Sequence, residues 1–142
     1  MIDFKMVITS LASFLLLGCT HRLVPQGVPL YSIKVTNGTD QEFEDVDVVF
    51  GYPNGYVPNK LPSVGVLAPG SSATDHFLPV PIPERVRVTW KVVGRADAHQ
   101  AVVAVRDTVG AQYRGVIQFT IRPGDRVELS RYPHPGEERQ QR

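Results

Sequence analysis

The chain has 142 residues, of which 42% are hydrophobic and 20% are charged, with 15 lysines and arginines against 14 aspartates and glutamates. This composition is typical of one globular domain and argues against a disordered, collagen-like or coiled-coil chain. The net charge of +1 gives no support for nucleic acid as a partner, because that function needs a clustered basic excess. Twelve glycines and twelve prolines favour many turns between short elements, and therefore an all-β fold.

An uncharged and mostly apolar run of eleven residues, Val7 to Leu17, follows Lys5 closely. As a helix this run would be about 16 Å long, which is about half the thickness of the hydrocarbon core of a bilayer. It is therefore too short to span a membrane. A short positive flank followed by an apolar run and small residues is instead the layout of a secretory signal peptide.

The segment Leu16-Leu17-Gly18-Cys19 resembles the lipobox of bacterial lipoproteins, and Cys19 is the only cysteine of the chain. The resemblance implies that residues 1–18 are removed and that Cys19 carries the covalent lipid, whose acyl chains, such as palmitate, anchor the protein. Thr20 is not the aspartate associated in such lipoproteins with retention in the inner membrane. The resemblance therefore favours the outer membrane, on its periplasmic face. A buried, inert cysteine is the alternative.

The rest of the chain divides into three segments. Residues 19–29 contain two prolines and one glycine and are predicted to be a tether between the lipid and the folded domain. Residues 30–132 are predicted to be the domain, because apolar alternation and turn residues recur throughout that range. Residues 133–142 show no apolar periodicity and are predicted to be disordered.

Alternation of apolar and polar residues predicts seven to eight short strands within the domain. In chain order the alternating segments are Tyr31–Thr36, Asp45–Phe50, Val64–Leu67, Ala73–Leu78, Arg85–Val92, His99–Arg106, Tyr113–Ile121 and Val127–Leu129. The clearest is Arg85–Val92, with valines and Trp90 on one face and basic residues on the other. Gly51 to Pro62 is predicted to be a long loop.

These strands and the regular turn signals between them predict an all-β fold, an antiparallel β-sandwich. The turn Leu67-Ala68-Pro69-Gly70 and the lone Trp90 in an alternating strand resemble the small immunoglobulin-like or transthyretin-like sandwiches of bacterial envelope lipoproteins. The cysteine pair of antibody domains is absent, so the resemblance implies an immunoglobulin-like fold and no antibody-like function. A partly closed barrel is built from the same alternation and stays open as an alternative.

Two groups of residues are candidate sites of chemistry. Ser71, Ser72, Asp75 and His76 combine a nucleophile, a carboxylate and a base, but no G-x-S-x-G motif exposes a hydroxyl there. His76 and His99 are candidates for a metal pair across strands, although the histidines lack the usual metal-ligand spacing. The prediction is therefore a protein that is not an enzyme and has no metal or cofactor. An enzyme or metal protein that uses His76 or His99 together with the acidic strand is the alternative.

Charge is distributed unevenly along the chain. Five carboxylates fall within eight consecutive residues, namely Asp40, Glu42, Glu44, Asp45 and Asp47. The stretch from Arg85 to Arg131 instead carries nine basic and four acidic residues. Asp45 and Asp47 share one side of a strand, where they either face solvent, pair across a sheet or dock a partner. A calcium site would need its oxygen ligands folded around one point.

The segment from Phe50 to Asn59 is the best candidate for a binding loop, since loops carry function in sandwiches. Tyrosines on a segment stiffened by proline offer a large contact area at low entropic cost. Rings that merely cap the end of the domain are the alternative. The predicted partner-binding residues are Tyr52, Asn54, Tyr56, Asp45 and Asp47.

The sequence therefore predicts a lipid-anchored, periplasmic protein-binding module. The favoured role is that of an inhibitor or immunity-type lipoprotein, because a tethered domain with polarised charge suits the capture of one soluble toxin or hydrolase. An accessory subunit of a secretion or envelope assembly is the alternative. The expected partners are the membrane, through the lipid, and a protein, with no nucleic acid and no small-molecule cofactor.

Overall fold

A computed structural model describes residues 29–59 and 65–135 of the chain. The predicted signal peptide, Cys19 and the tether up to residue 28 lie outside the described residues. So do residues 60–62 of the predicted loop, residues 63 and 64, and residues 136–142 of the predicted tail.

The described residues form nine strands and one short helix. They are β1 (Tyr31–Asn37), β2 (Phe43–Tyr52), β3 (Gly55–Asn59), β4 (Val66–Leu67), β5 (Ser72–Leu78), β6 (Arg85–Val92), β7 (Ala98–Ala104), α1 (Arg106–Val109), β8 (Val116–Arg122) and β9 (Arg126–Tyr132). The predicted all-β class is confirmed, with nine strands where seven to eight were expected. The predicted strand His99–Arg106 ends earlier than expected, because β7 stops at Ala104 and α1 begins at Arg106.

The strands form two sheets around one hydrophobic core. The four-stranded sheet has the order β5-β1-β8-β9, and the five-stranded sheet has the order β3-β2-β6-β7, with β4 also paired to β2. Both sheets supply fully or almost fully buried side chains, among them Tyr31, Ile33, Phe119, Val48, Val88 and Trp90. In β6 the apolar residues are buried and the basic ones are not, which confirms the predicted alternation.

The prediction of a purely antiparallel arrangement is wrong for one pair of strands. β1 and β8 run parallel, with Ser32 opposite Val116 and Asn37 opposite Ile121. Alternation shows which face of a strand is buried, but it carries no information about the direction of the neighbouring strand. The parallel pairing is formed after the chain has passed through the other sheet and returned.

The segment predicted as a long loop from Gly51 to Pro62 is largely a β-hairpin. β2 continues to Tyr52, Pro53 and Asn54 form the turn, and β3 returns antiparallel along β2. Strand formation here is decided by cross-strand pairing rather than by residue preference, because glycine, proline and asparagine have low strand propensity. As a result, Tyr56 lies on the surface of a sheet and not at a loop tip.

Asn37 is fully buried where β1 ends. Its Nδ2 donates to the carbonyl oxygens of Gln41 and Leu67 at 2.6 and 2.9 Å, and its Oδ1 accepts from the backbone N–H and hydroxyl of Thr39 at 3.0 and 2.8 Å. One side chain therefore holds the turn after β1 and the short strand β4 against the end of the four-stranded sheet.

Tyr31 is fully buried, and its hydroxyl donates to the carbonyl of Pro81 at 3.3 Å. Burial raises the pKa of Tyr31 far above its ordinary value, and the nearby Tyr52 and Asp75 raise it further. The folded protein therefore keeps this proton at a pH where the unfolded chain, with a pKa of about 10, releases it. This contribution to stability is fully present below about pH 10 and is lost as the pH rises above that value.

We expect Tyr31 to lower the free energy of unfolding by about 1.4 kcal/mol for each pH unit above about pH 10. The cause is that only the unfolded chain releases the Tyr31 proton in this range. Tyr31→Phe should remove this part of the slope, because phenylalanine has no proton to lose. Urea unfolding of both proteins between pH 9 and pH 11.5 measures the difference. Equal slopes in the two proteins would show that Tyr31 does not control alkaline unfolding.

Candidate functional site

The strand registers align side chains in rows on the outer face of the five-stranded sheet. The first row consists of Tyr56, Gly51, Arg85 and Ala104. The second contains Val49, Arg87 and Val102. Residues in register across a sheet point to the same side, so Tyr56 shares one face with both arginines. We call Tyr56, Arg85, Arg87, Val49 and Val102 the arginine–tyrosine face.

Tyr56 is the aromatic centre of this face. Its side chain is 40% exposed, and the guanidinium carbons of Arg87 and Arg85 lie 4.7 and 5.3 Å from the ring centroid. Cations at these distances are attracted to the face of an aromatic ring. The three side chains therefore hold one another in place on the surface of the sheet.

Gly51 makes the close approach of these side chains feasible. A Cβ atom at this position would lie 2.6 Å from Arg85 Cγ and 3.0 Å from Tyr56 Cε1. Only a residue without a side chain lets Tyr56 reach across β2 to Arg85. A glycine inside a strand often marks such an approach, and this signal was available in the sequence.

The charges of the two arginines are not neutralised within the described part of the chain. Within residues 29–59 and 65–135, neither Arg85 nor Arg87 forms an ion pair with a carboxylate. Lys91, further along β6, is instead bound to Asp45 at 2.9 Å, and this hydrogen bond raises the pKa of Lys91. Positive charge is thus unpaired at one end of the sheet face and paired at the other.

The predicted binding residues do not form one surface. Tyr52 lies on the core side of β2, where its hydroxyl donates to the Pro81 carbonyl at 2.9 Å and its half-buried ring packs edge-on against Phe50. Burial raises the pKa of Tyr52, although the charge of Arg106 opposes this shift. Tyr56 lies on the opposite, outer side of the sheet.

The other predicted residues lie at separate places around this sheet. Asn54 is exposed in the hairpin turn. Asp45 is exposed with φ of 51° and is paired with Lys91, while Asp47 is exposed opposite Thr89. Arg85 and Arg87 were not predicted as neighbours of Tyr56, because their proximity to it depends on two strand registers.

The grouping of Ser71, Ser72, Asp75 and His76 is not assembled for nucleophilic catalysis. The hydroxyl of Ser72 is hydrogen-bonded to that of Thr36 at 2.8 Å. His76 follows four residues later along an extended strand, about 13 Å away at 3.3 Å per residue. Asp75 pairs with an inward-facing residue of β1 and so faces away from His76.

His76 and His99 lie on edge strands of different sheets. His99 Nδ1 is 2.9 Å from Asp125 Oδ1, and its ring stacks on Trp90. The structure therefore does not bring the two histidines together. In the part of the chain that the structure describes, no group of three or more histidine, cysteine, aspartate or glutamate side chains is placed to hold a metal ion.

Comparison of the chain with protein-family models and with curated protein sequences finds no match. The one helix in the described ranges, α1, is not long and apolar enough to cross a bilayer.

Proposed function

We propose that this protein is a lipid-anchored protein-binding module that captures a soluble partner in the periplasm. In this proposal it acts as an inhibitor or immunity-type lipoprotein, and its target is a toxin or hydrolase. The observation that carries the proposal is the exposed Tyr56 ring held against the unpaired Arg85 and Arg87. Tyrosine and arginine are strongly enriched among the residues that dominate binding energy at protein interfaces.

The chemistry of the face points to an acidic partner surface. Guanidinium groups form paired hydrogen bonds with carboxylates, and Arg85 and Arg87 have no such partner among the described residues. Val102 is 55% exposed in the same row as Arg87, which adds apolar area beside the charges. In a contact of this composition, the charged groups make association fast and sensitive to salt. The aromatic and apolar groups form a centre from which water is excluded.

The fold supports this role as a scaffold. We infer an immunoglobulin-like sandwich, since two sheets share one core and the candidate face lies on the outside of one of them. A face built on paired strands is held more rigidly than a loop, and such rigidity lowers the cost of ordering on binding.

The lipid and tether determine where capture takes place. A fully extended tether of residues 19–29 spans at most about 35–40 Å, so a lipid on Cys19 would keep the domain close to the membrane surface. A soluble enzyme entering that space would meet the face without crossing the membrane.

Charge reversal on the face is expected to weaken capture strongly. We compare wild type with Arg85→Glu/Arg87→Glu and with the control Arg126→Glu, which alters an exposed arginine of β9 in the other sheet. The whole chain serves as bait for native envelope and periplasmic proteins at low and high salt, with identification by mass spectrometry. Wild type and control should recover one soluble enzyme and lower its activity, whereas the double variant should bind it about 100-fold more weakly, a loss of about 3 kcal/mol.

Two results would contradict this assignment. Equal recovery by the double variant would place the interface away from the arginine–tyrosine face. Recovery of several components of a membrane complex, instead of one soluble enzyme, would make the protein an accessory subunit of a secretion or envelope assembly.

A further inference from the structure

A cleft with a volume of about 380 Å³ opens on the four-stranded sheet. Its lining includes Lys34, Thr74, His76, Phe77, Tyr132 and His134. The arginine–tyrosine face belongs to the other sheet, so the proposed protein capture does not account for this cleft. A volume in this range is typical of small-molecule sites.

A bulge in β5 shapes one wall of the cleft. Tyr31 pairs with Leu78 and Ile33 pairs with Asp75, so His76 and Phe77 both lie opposite the single residue Ser32. The backbone N–H of Phe77 donates to the Ser32 hydroxyl oxygen at 3.2 Å. Bulges of this kind redirect side chains and are frequent next to functional sites.

Phe77 itself is in an unusual conformation. Its φ is 53° and its side chain is 58% exposed. Bulky residues rarely adopt the left-handed region, and they persist there only where the surrounding structure imposes it. In a regular strand, the neighbouring residues His76 and Phe77 would point to opposite faces of the sheet. The bulge instead brings the ring to the cleft, where it does not serve the core.

Aromatic rings and an apolar floor form the body of the cleft. The Phe77 ring lies 5.0 Å from the ring of His134 and 6.0 Å from that of His76, measured between centroids. Val116 is 5% exposed and forms part of the lining, in register with Tyr132. A flat apolar group fits between such surfaces.

The polar groups of the cleft favour an anion. Lys34 forms no ion pair with any described carboxylate, and its Nζ lies 6.0 Å from the centre of the Tyr132 ring. No described lining residue is acidic. The His134 Nε2 atom is buried and has no hydrogen-bond partner in the described part of the chain. Buried polar atoms in native proteins are nearly always paired, so an unpaired one calls for a partner.

We propose that this cleft binds a small organic anion, in which a carboxylate or phosphate group is attached to a flat apolar body. The anionic group would lie against Lys34 and Thr74, next to the His134 ring. The apolar body would pack on Phe77 and Tyr132. This site is independent of the protein-binding face, and it can be tested while the identity of any captured protein is unknown.

Phenyl phosphate and phenylacetate serve as anionic probes, with benzyl alcohol as the neutral probe of similar shape. Each is titrated calorimetrically into the whole chain as its host produces it, in a nonionic detergent. We expect an anionic probe to bind one site with a Kd below about 1 mM, and benzyl alcohol to bind at least tenfold more weakly. The His76 and His134 ring signals in NMR spectra should shift during the same titration.

Two variants and one control locate the site. Lys34→Gln and Phe77→Ala should each weaken binding of the anionic probe at least tenfold, whereas Arg126→Gln should not change it. Lys34→Gln alters a partly exposed side chain, so its result stands even if Phe77→Ala does not fold. The proposal would be overturned if neither anionic probe showed saturable binding. It would also be overturned if Lys34→Gln bound the anionic probe as tightly as wild type. Binding that requires removal of residues 136–142 would also overturn it, because the chain itself would then occupy the cleft.

Discussion

Replacing Asn37 with alanine is expected to lower the free energy of unfolding by about 3 kcal/mol, since several hydrogen bonds are lost and buried groups are left unpaired. The side chain is fully buried, and its four hydrogen bonds connect the turn after β1 with β4. Alanine restores none of these bonds. The change is measured by urea unfolding, with the slope of the transition used to check that the unfolded state is unchanged.

Gln112→Ala is the matched control, because it removes an exposed amide side chain. Substitutions of that kind usually alter stability by no more than about 0.5 kcal/mol. If Asn37→Ala also stays within about 0.5 kcal/mol of wild type, the amide of Asn37 does not hold the two sheets together at this end.

If the proposed lipid anchor is correct, Cys19→Ser is expected to release the protein from the membrane or to leave it as an uncleaved precursor. If Cys19 carries the lipid, the substitution removes the sulfur to which the lipid is attached. Each buried methylene group of an acyl chain contributes about 0.8 kcal/mol to membrane binding, so loss of the chains removes the anchor completely. Fractionation of cells and the mass of the N-terminal peptide measure the two consequences.

Thr20→Ser is the control for the lipidation experiment, because it makes a small change beside Cys19 and leaves the thiol in place. It should stay in the membrane fraction with the lipid attached. Membrane association of Cys19→Ser at the wild-type level would refute the interpretation of residues 16–19 as a lipobox.

Local periodicity was sufficient to predict much of the fold. The alternation around Trp90 predicts which side of β6 is buried, because side chains on a strand alternate with a period of two. The burial pattern of β6 follows this alternation from Arg85 to Val92. The same reasoning located β1 and β8 near their observed positions, since each carries an apolar stripe that the core needs. β5 also lies near its predicted position, although only Ala73 and Leu78 of this strand are buried.

The candidate site could be predicted only in part, because its geometry depends on contacts between distant strands. Tyr56 reaches Arg85 only because β3 pairs with β2 and β2 pairs with β6. The sequence predicts one binding loop that contains Tyr52 and Tyr56, whereas the hairpin separates them onto opposite sides of a sheet. No local signal marks Phe77 for a positive φ, since that conformation depends on the bulge against Ser32.

The central position of β1 has a consequence for how the chain becomes folded. β1 is the first described strand, but one of its two neighbours is β8, whose pairing with Ser32 begins at Val116. Contacts between residues so far apart in sequence slow folding. A chain that emerges from the ribosome N-terminus first must hold β1 without this partner until most of the domain has been synthesised. If residues 1–18 direct export, this delay keeps the domain unfolded, and therefore able to be threaded through a translocation channel, until late in its synthesis.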